Sequence, residues 1–543
     1  MQPGRSWLLE ASWEVCNKVG GIHTVIVSKL PCVLQEYSDR YLSVGPWLPD
    51  QQPEFKQETY SSEYFADLSE RLRADGVILH YGRWQVPGRP KVVLLEWSGL
   101  VPKLDELKAR YWEAHSLDSL GSDFYDFDTP LLWGTAVGIF AVAFNETSPS
   151  PITLQLHEWL SAAALLIVPK RGERMRTVFT THATVLGRSM AGRGIPIYDQ
   201  LESIDPASAA KEYGVQAKHG LERIAANLAD SFTTVSDLTA EEALHFLGRH
   251  PDVVTENGLA LHELPLLLTN QVVAATTRQR LGMLVADMLK PYYPFDASRS
   301  FWQCTTGRFE LHNKGYDVYL QALAQENEAL KASNSKESVV AVLLIAVSNQ
   351  GIRQDVLTSQ LRRLSGQPDG QPRQSTSLPP LSPFITRLDD PLVVLATSLG
   401  LCNRLEDRVK ILYLPAYFDG QDGLLNIPLY DLISSCDLGV FPSAYEPWGY
   451  TPLECLALGV PAITSDLAGF GQAVRSAEYG VSLLKRRGVL NPVPELCQLM
   501  NLALERTPRE LETERIAAYG LSRQFGWERL YENYRTAYEQ AWQ

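Results

Sequence analysis

"DLGVFPSAYEPWGYTPLECLALGVPAITSD", Asp437–Asp466, runs from a short apolar stretch through a polar turn and a helix-like segment into a second apolar stretch. Such runs read as buried parallel strands with a helix between them, the pattern expected when both faces of a sheet are covered. The first strand ends near Pro442. Thr451, Pro452, Leu453 and Glu454 then match an N-cap threonine, a proline at the first helical position and a capping-box glutamate. That reading gives Glu454 a structural task. Glu446 precedes Pro447 and cannot join the cap, so its carboxylate needs another partner. The turn Glu446–Tyr450 lies just past a strand's carboxyl end, where open α/β sheets place ligands, and the next helix points free N–H groups at the same crevice.

The alternation continues in both directions. Apolar runs begin at Tyr41 ("YLSVG"), Gly76 ("GVILHYG"), Lys91 ("KVVLLEW") and Ser231 ("SFTTVSD"), while "PITLQLH" ends at His157 and "RTVFTTHAT" at Thr184. Later runs start at Ser338 ("SVVAVLLIAV") and Val409 ("VKILYLP"). Two open α/β domains account for these better than one barrel, because loop lengths and breakers do not repeat with a barrel's period. The boundary falls between about 255 and 300. The expected division is residues 1–270 and 271–515, with 516–543 as a C-terminal helix packing back on the first domain. "LSGQPDGQPRQSTSLPPLSPF", Leu364–Phe384, has the composition of a loop.

Bulk properties exclude several classes of function. The 543 residues exceed one ordinary core, and 45% apolar with 21% charged residues describes a folded chain. A formal charge of -14, without a basic run interleaved with aromatics, argues against nucleic acid as a partner. Seven scattered cysteines show neither metal-ligand spacing nor a small-domain disulfide pattern, which fits a reducing, cytoplasmic setting. "GIFAVAF" and "LLIAV" read as too short and interrupted to span a bilayer, and the N-terminus lacks a long apolar signal core.

Cations cluster at two places. Arg308 and Lys314, beside Gly307 and Gly315 in "TTGRFELHNKGYDVYLQAL", suit the charge that gathers on a departing diphosphate. Lys18, Gly20 and Gly21 precede a helix and offer close backbone approach plus one positive charge, though they form no Walker or dinucleotide motif. His157 and His182 end strands, at the working edge of a doubly wound domain, and Arg188 follows. No spacing resembles a zinc site, and no nucleophile elbow is present. Facing a sugar, Glu446 could accept hydroxyl hydrogen bonds and place negative charge near an oxocarbenium ion. Hydrolysis stays open on these residues alone.

The stretches "EVCNKVGGIHTV", "LHEWL", "FTTHATVLGR", "SFTTVSDLTAEEA", "NGLA", "GRFELHNKGYDVYLQALA" and "LGVFPSAYEPWGYTPLECLALGVPAITSDLAGFG" occur in family order over nearly the whole chain, and together the chain resembles a glycogen synthase of the animal and fungal type. The resemblance implies two facing Rossmann-like domains of the GT-B kind with an interdomain active-site cleft. It implies retaining transfer of glucose from UDP-glucose to the non-reducing 4-hydroxyl of an α-1,4-glucan, with no cofactor and no essential metal. Partners are then a nucleotide-sugar donor and a glucan acceptor, without nucleic acid or membrane; a homo-oligomer is compatible with this.

Carried over by position, Glu446 matches the catalytic glutamate at the donor sugar and Glu454 the glutamate holding the ribose. Arg308 and Lys314 match the diphosphate pair, Lys18 the nucleotide-loop lysine, His182 and Arg188 residues reaching the donor, and Trp448, Gly449 and Thr451 the donor turn. His157 and Asn257 fall in family motifs. Tyr430 stands one residue from the position of the base-stacking tyrosine, which Leu429 occupies, so ADP-glucose stays open as donor. A related retaining transferase with a small sugar acceptor, or a glucan-binding protein with decayed catalysis, is compatible with the same motifs. "ETERIAAYGLSRQFGW" replaces the family's arginine-rich helix, with Ile516, Ala517, Ala518 and Gly520 in place of much of its charge. Leu268, Thr269 and Leu414 stand at sugar-phosphate positions, so glucose 6-phosphate control is expected to be absent. The region from Gly351 to Arg408 is much shorter than the family insertion that helps build a tetramer.

Overall fold

The computed structural model of the protein describes residues 6–49, 52–59, 63–333, 335–365 and 378–543. Most of the loop expected at Leu364–Phe384 and the side chain of Leu268 lie outside the described residues. The chain forms two compact units, Met1–Ala260 with Phe525–Gln543 and Leu261–Gln524.

The sheet of the first unit comprises, among the described residues, β1 (Trp7–Ala11), β2 (Tyr41–Pro46), β3 (Phe55–Gln57), β4 (Ile78–Trp84), β5 (Lys91–Glu96), β6 (Ile152–His157), β7 (Met175–Thr181), β8 (Ser231–Thr234) and β9 (Val253–Val254). Their order is β3-β4-β5-β2-β1-β6-β7-β8-β9. All neighbours run parallel except β3–β4 and β4–β5, which are antiparallel; "GVILHYG" therefore belongs to an edge hairpin and not to the parallel core. Order reverses at β1, with β2 on one side and β6 on the other, so the ends of β1 and β6 flank the switch point where such sheets bind ligands.

"GIFAVAF" proves to lie within a longer apolar stretch. Among the described residues Phe124–Thr147 is the one helical segment long and apolar enough to cross a membrane, with mean hydropathy 1.4. Of its most apolar 18-residue stretch, 83% is buried, so its apolarity is accounted for by core packing.

The second unit holds β10 (Phe301–Arg308), β11 (Val339–Ala346), β12 (Val409–Leu414), β13 (Leu438–Phe441), β14 (Ala462–Ser465) and β15 (Val481–Leu484). They are all parallel in the order β12-β11-β10-β13-β14-β15. This is the 3-2-1-4-5-6 order of a nucleotide-binding sheet, and its switch point lies between β10 and β13. Those strands pair only through Gln303–Leu438 and Cys304–Gly439. Beyond that, β10 stays with β11 and β13 with β14, which opens a crevice at their carboxyl ends. The helix Tyr316–Ala332 covers one face with Tyr316, Tyr319, Leu320 and Leu323, which share one buried cluster with Leu343 and Val440. Each such fully buried side chain contributes on the order of 1.5–3 kcal/mol.

Two expectations need correction. A boundary at 515 would cut the helix Pro508–Ser522, which lies wholly in the second unit and is fixed there by Glu514, whose carboxylate accepts the Gly480 N–H at 2.5 Å. Only the helix Trp527–Ala541 packs on the first unit, where Trp527 donates to Ser28 Oγ at 2.7 Å. The capping box at Thr451 and Glu454 does not form. The helix there is Tyr450–Ala457, its N-cap is Gly449 with φ 114°, and no side chain caps it. Pro452 is then the third helical residue, still among those whose N–H lacks an intrahelical partner. A true capping box links Thr507 and Glu510.

Candidate active site

In the second unit, the loops after β10 and β13 interlock at the switch point. Gly315 adopts φ 70°, and an added Cβ would lie 2.0 Å from the Pro442 carbonyl oxygen, so only glycine fits. Asn313 O accepts from Ala444 N at 2.9 Å, and Tyr316 Oη donates to Arg308 O at 3.1 Å. Lys314 is thereby brought onto Glu446, with which it forms a short ion pair, both side chains about one-sixth exposed.

The Glu446 backbone is held on its other side by the loop after β14. Its N–H donates to Leu467 O at 3.3 Å and its carbonyl accepts from Gly469 N at 3.0 Å. Trp448 is buried, and its carbonyl accepts from Phe470 N at 2.8 Å. A carboxylate fixed by backbone pairing, beside a lysine, at a strand's end is prepositioned and not a solvated loop acid.

Arg308, the last residue of β10, is the exposed cation of the pair; its side chain is 56% exposed and pairs with Glu310 at 3.3 Å. Glu454 accepts the Tyr430 hydroxyl at 2.8 Å. Burial raises the Glu454 carboxyl above its ordinary value, opposed by that hydrogen bond and by Lys314. The charge of Glu454, followed by burial, pushes the Tyr430 phenol up. Lys314 thus lies within electrostatic reach of both glutamates, and Tyr430 stands beside Glu454. Thr451 is the second residue of the helix, half-buried.

The first unit gathers a different group. Lys18 is exposed and, among the described residues, forms no ion pair. Gly20 is the N-cap of the helix Gly21–Tyr37, and the Glu14 carboxylate takes up the space of its missing side chain, 2.4 Å from where a Cβ would sit. The same carboxylate accepts from His23 N at 2.8 Å. No heavy atom lies within 4 Å of a Cβ built on Gly21.

His157 Nδ1 and His182 Nε2 are 2.9 Å apart, and His157 Nε2 lies 2.8 Å from Glu10 Oε1. Three buried or half-buried glutamates hold the loop that carries His182 and Arg188. Glu158, itself at φ 64°, accepts from the N–H groups of His182 and Ala183 at 3.0 and 3.3 Å. Glu222 accepts from Thr181 Oγ1 and Val185 N at 2.8 and 2.9 Å, and Glu242 accepts from the hydroxyls of Thr184 and Tyr198. Burial pushes Glu158 up to about 7 against the pull of Arg188, and it pushes Glu222 well above the carboxylate range, with Glu158 adding to the effect. Arg188 is exposed on the helix Val185–Ala191. Asn257 lies past β9 and is buried, its Oδ1 without a hydrogen bond, and it does not join the histidine pair.

Glu10, Lys29, Glu158, Glu222 and Glu242 were not singled out by sequence reasoning. A signal existed for Glu10: it interrupts the apolar run "WLLEA" in a way an exposed edge strand would not require. Among the described residues no group of three or more His, Cys, Asp or Glu side chains is placed to hold a metal ion.

Comparison with known proteins gives the class first. A starch synthase IV catalytic domain from Arabidopsis thaliana, solved with ADP and acarbose, superposes with a TM-score of 0.57 at 15% identity, covering 99% of both chains. A trehalose 6-phosphate synthase from Burkholderia multivorans gives 0.55 at 11% identity, over 98% of this chain and 96% of that one. The fold is that of the GT-B glycosyltransferases. The family model for glycogen synthase matches residues 10–365 and 372–543, and the chain belongs to that family. It is 31% identical to a glycogen [starch] synthase of Caenorhabditis elegans, over 96% of this chain and 86% of that protein. It is likewise 31% identical to the liver enzyme of Mus musculus, over 88% and 75%.

Proposed function

We infer that the protein is a retaining glycosyltransferase that moves glucose from UDP-glucose to the non-reducing 4-hydroxyl of an α-1,4-glucan. The observation that carries this reading is the Lys314–Glu446 pair at the β10/β13 switch point of a nucleotide-binding sheet, in a chain of the glycogen synthase family. In this reading Glu446 faces the donor sugar and offers negative charge to the developing oxocarbenium ion. Lys314 and Arg308 take the diphosphate, and their charge stabilises the leaving UDP as the glycosidic bond breaks. Glu454 holds the ribose, and Trp448, Gly449 and Thr451 shape the donor turn. In the first unit, Lys18, Gly20, Gly21, His182, Arg188 and Asn257 keep the nucleotide- and donor-binding tasks that the family motifs imply.

The Tyr430–Glu454 hydrogen bond supports Tyr430, and not Leu429, as the ring at the nucleotide end. Seven cysteines without a disulfide support a reducing, cytoplasmic setting. Glucose 6-phosphate control is absent in this proposal. Leu414 is fully buried at the end of β12, Ala518 is buried, and Ile516 offers an exposed apolar side chain in place of a guanidinium.

The deciding assay incubates purified protein with glycogen and either UDP-glucose or ADP-glucose, with and without glucose 6-phosphate, following nucleotide release and glucan growth. Growth from UDP-glucose, unchanged by the sugar phosphate, is expected. No growth from either donor would overturn the function, growth from ADP-glucose alone the donor, and a large activation the regulatory claim. For Arg308→Ala we expect UDP affinity to fall about 10- to 100-fold, the equivalent of one charge-assisted hydrogen bond, and turnover to fall with it. Unchanged kinetics would remove Arg308 from the diphosphate site.

A further inference from the structure

We propose that Glu10 and His157 are positioning residues that hold His182 in one neutral tautomer, with its proton on Nε2 and its Nδ1 free to accept a hydroxyl hydrogen from a sugar ligand. The identity of that sugar rests on the function proposed above; the tautomer does not.

The three residues line up across adjacent strands. Glu10 is on β1, His157 ends β6, and His182 follows β7, which places the side chains in a row at the switch point of the first unit. Glu10 Oε1 is 2.5 Å from Lys29 Nζ and 2.8 Å from His157 Nε2, while Oε2 accepts the Tyr41 hydroxyl at 2.6 Å. Glu10, Lys29 and His157 have no exposure at all.

Donor and acceptor roles follow in sequence. Burial raises the Glu10 carboxyl, but Lys29 and His157 outweigh it and hold it below the usual carboxylate range, so Glu10 is ionised and can only accept. His157 Nε2 therefore carries the proton. Burial also lowers His157 below its ordinary value and keeps the ring neutral, which leaves Nδ1 as a bare lone pair. A lone pair there must meet a donor, so the proton between the rings belongs to His182 Nε2, 2.9 Å away.

His182 is neutral too. Burial lowers it well below its ordinary value, and His157, Lys29 and Arg188 act in the same direction against Glu10. Its Nδ1 is consequently an acceptor. Among the described residues no protein group pairs with that atom, and His182 keeps 8% exposure. Glu158 fixes the backbone from which the ring projects, accepting the His182 N–H at 3.0 Å.

An acceptor-only nitrogen discriminates by chemistry. A hexose hydroxyl has a hydrogen to give, whereas a carboxylate at the same sugar carbon has none and would set lone pair against lone pair. The relay thus selects a group with a hydrogen to give over one that has none.

The first test uses the full chain labelled with ¹⁵N-histidine. Imidazole nitrogen spectra should show His182 protonated at Nε2 and bare at Nδ1, unchanged between about pH 6 and 8, where an unperturbed histidine titrates. A protonated Nδ1, or titration in that range, would overturn the relay whether or not the protein transfers glucose. The second test is kinetic. His157→Gln should lower kcat/KM for UDP-glucose about 10-fold, the equivalent of one hydrogen bond. His182→Ala with His157→Gln should be no slower than His182→Ala alone; additive losses would mean that His157 acts elsewhere. Should His157→Gln fail to fold, the spectra of the unmodified protein still decide.

Discussion

Glu446→Gln is expected to reduce glucosyl transfer about a thousandfold, the equivalent of roughly 4 kcal/mol in the barrier, while UDP affinity stays within about threefold. The asymmetry follows from the geometry. The residue's backbone is held by main-chain bonds to Leu467 and Gly469, which the substitution leaves intact, so the amide starts from the same place without the charge. What disappears is the negative field at the sugar and the ion pair with Lys314. Lys314 loses a partner that competes with phosphate, so nucleotide binding should be spared or slightly improved. Initial rates with UDP-glucose and glycogen, paired with calorimetric titration of UDP, separate the two effects. Unchanged turnover would assign the chemistry to another acid.

The second large effect should come from a residue with no functional group. Gly315→Ala introduces a Cβ 2.0 Å from a backbone oxygen at φ 70°, and the oxygen it meets is no flexible side chain. Strain of this kind costs about 1–3 kcal/mol, and relief requires the two loops to part. The midpoint of thermal unfolding should fall by about 5 °C or more, since 1 kcal/mol moves a unit of this size about 2–4 °C. Gly423→Ala is the control. It has φ 79° but open space around its Cβ, so it carries the conformational cost without the collision. UDP affinity should drop in the first variant alone, because Lys314 is displaced with its neighbour. Equal behaviour of the two variants would mean that the interlock of the loops has no role in placing the cation.

The legibility of the sequence was uneven in a physically instructive way. Long apolar runs such as "SVVAVLLIAV" mark β11, fully covered on both faces, and nothing else fits such a run. The two central strands β1 and β10 left weaker marks. β1 contains Glu10, and β10 contains Gln303, long polar side chains whose burial needs partners, Lys29 and His157 for Glu10 and Glu326 for Gln303. At each switch point, one of the two flanking strands was legible, β6 or β13, and the other was blurred.

Residues near a motif's own turn, Glu446, Trp448 and Gly449, could be singled out from local spacing. The role of Glu454 could not: a threonine, a proline and a glutamate at capping distances suggested a local bond, and the fold instead joins Glu454 to Tyr430, far away in sequence. Glu158, Glu222 and Glu242 were invisible for the same reason, since their partners converge only once β6, β7 and the helices behind them have packed.

The helix Trp527–Ala541 has a bearing on how the molecule is made. Trp527 packs against Gly258, where a Cβ would lie 2.8 Å from its ring, and Tyr534 sits beneath the Lys29 ammonium at 4.0 Å. The first unit thus completes its core with residues translated after the whole of the second. Leu261–Gln524, by contrast, is continuous. During synthesis the second unit has all of its sequence first, and the earlier one waits half-finished, its Glu10 and Lys29 under no lid, until that helix emerges from the ribosome. The unit that begins first in the chain is therefore the last to have its full sequence available, and its final helix must return to a sheet laid down about 270 residues earlier.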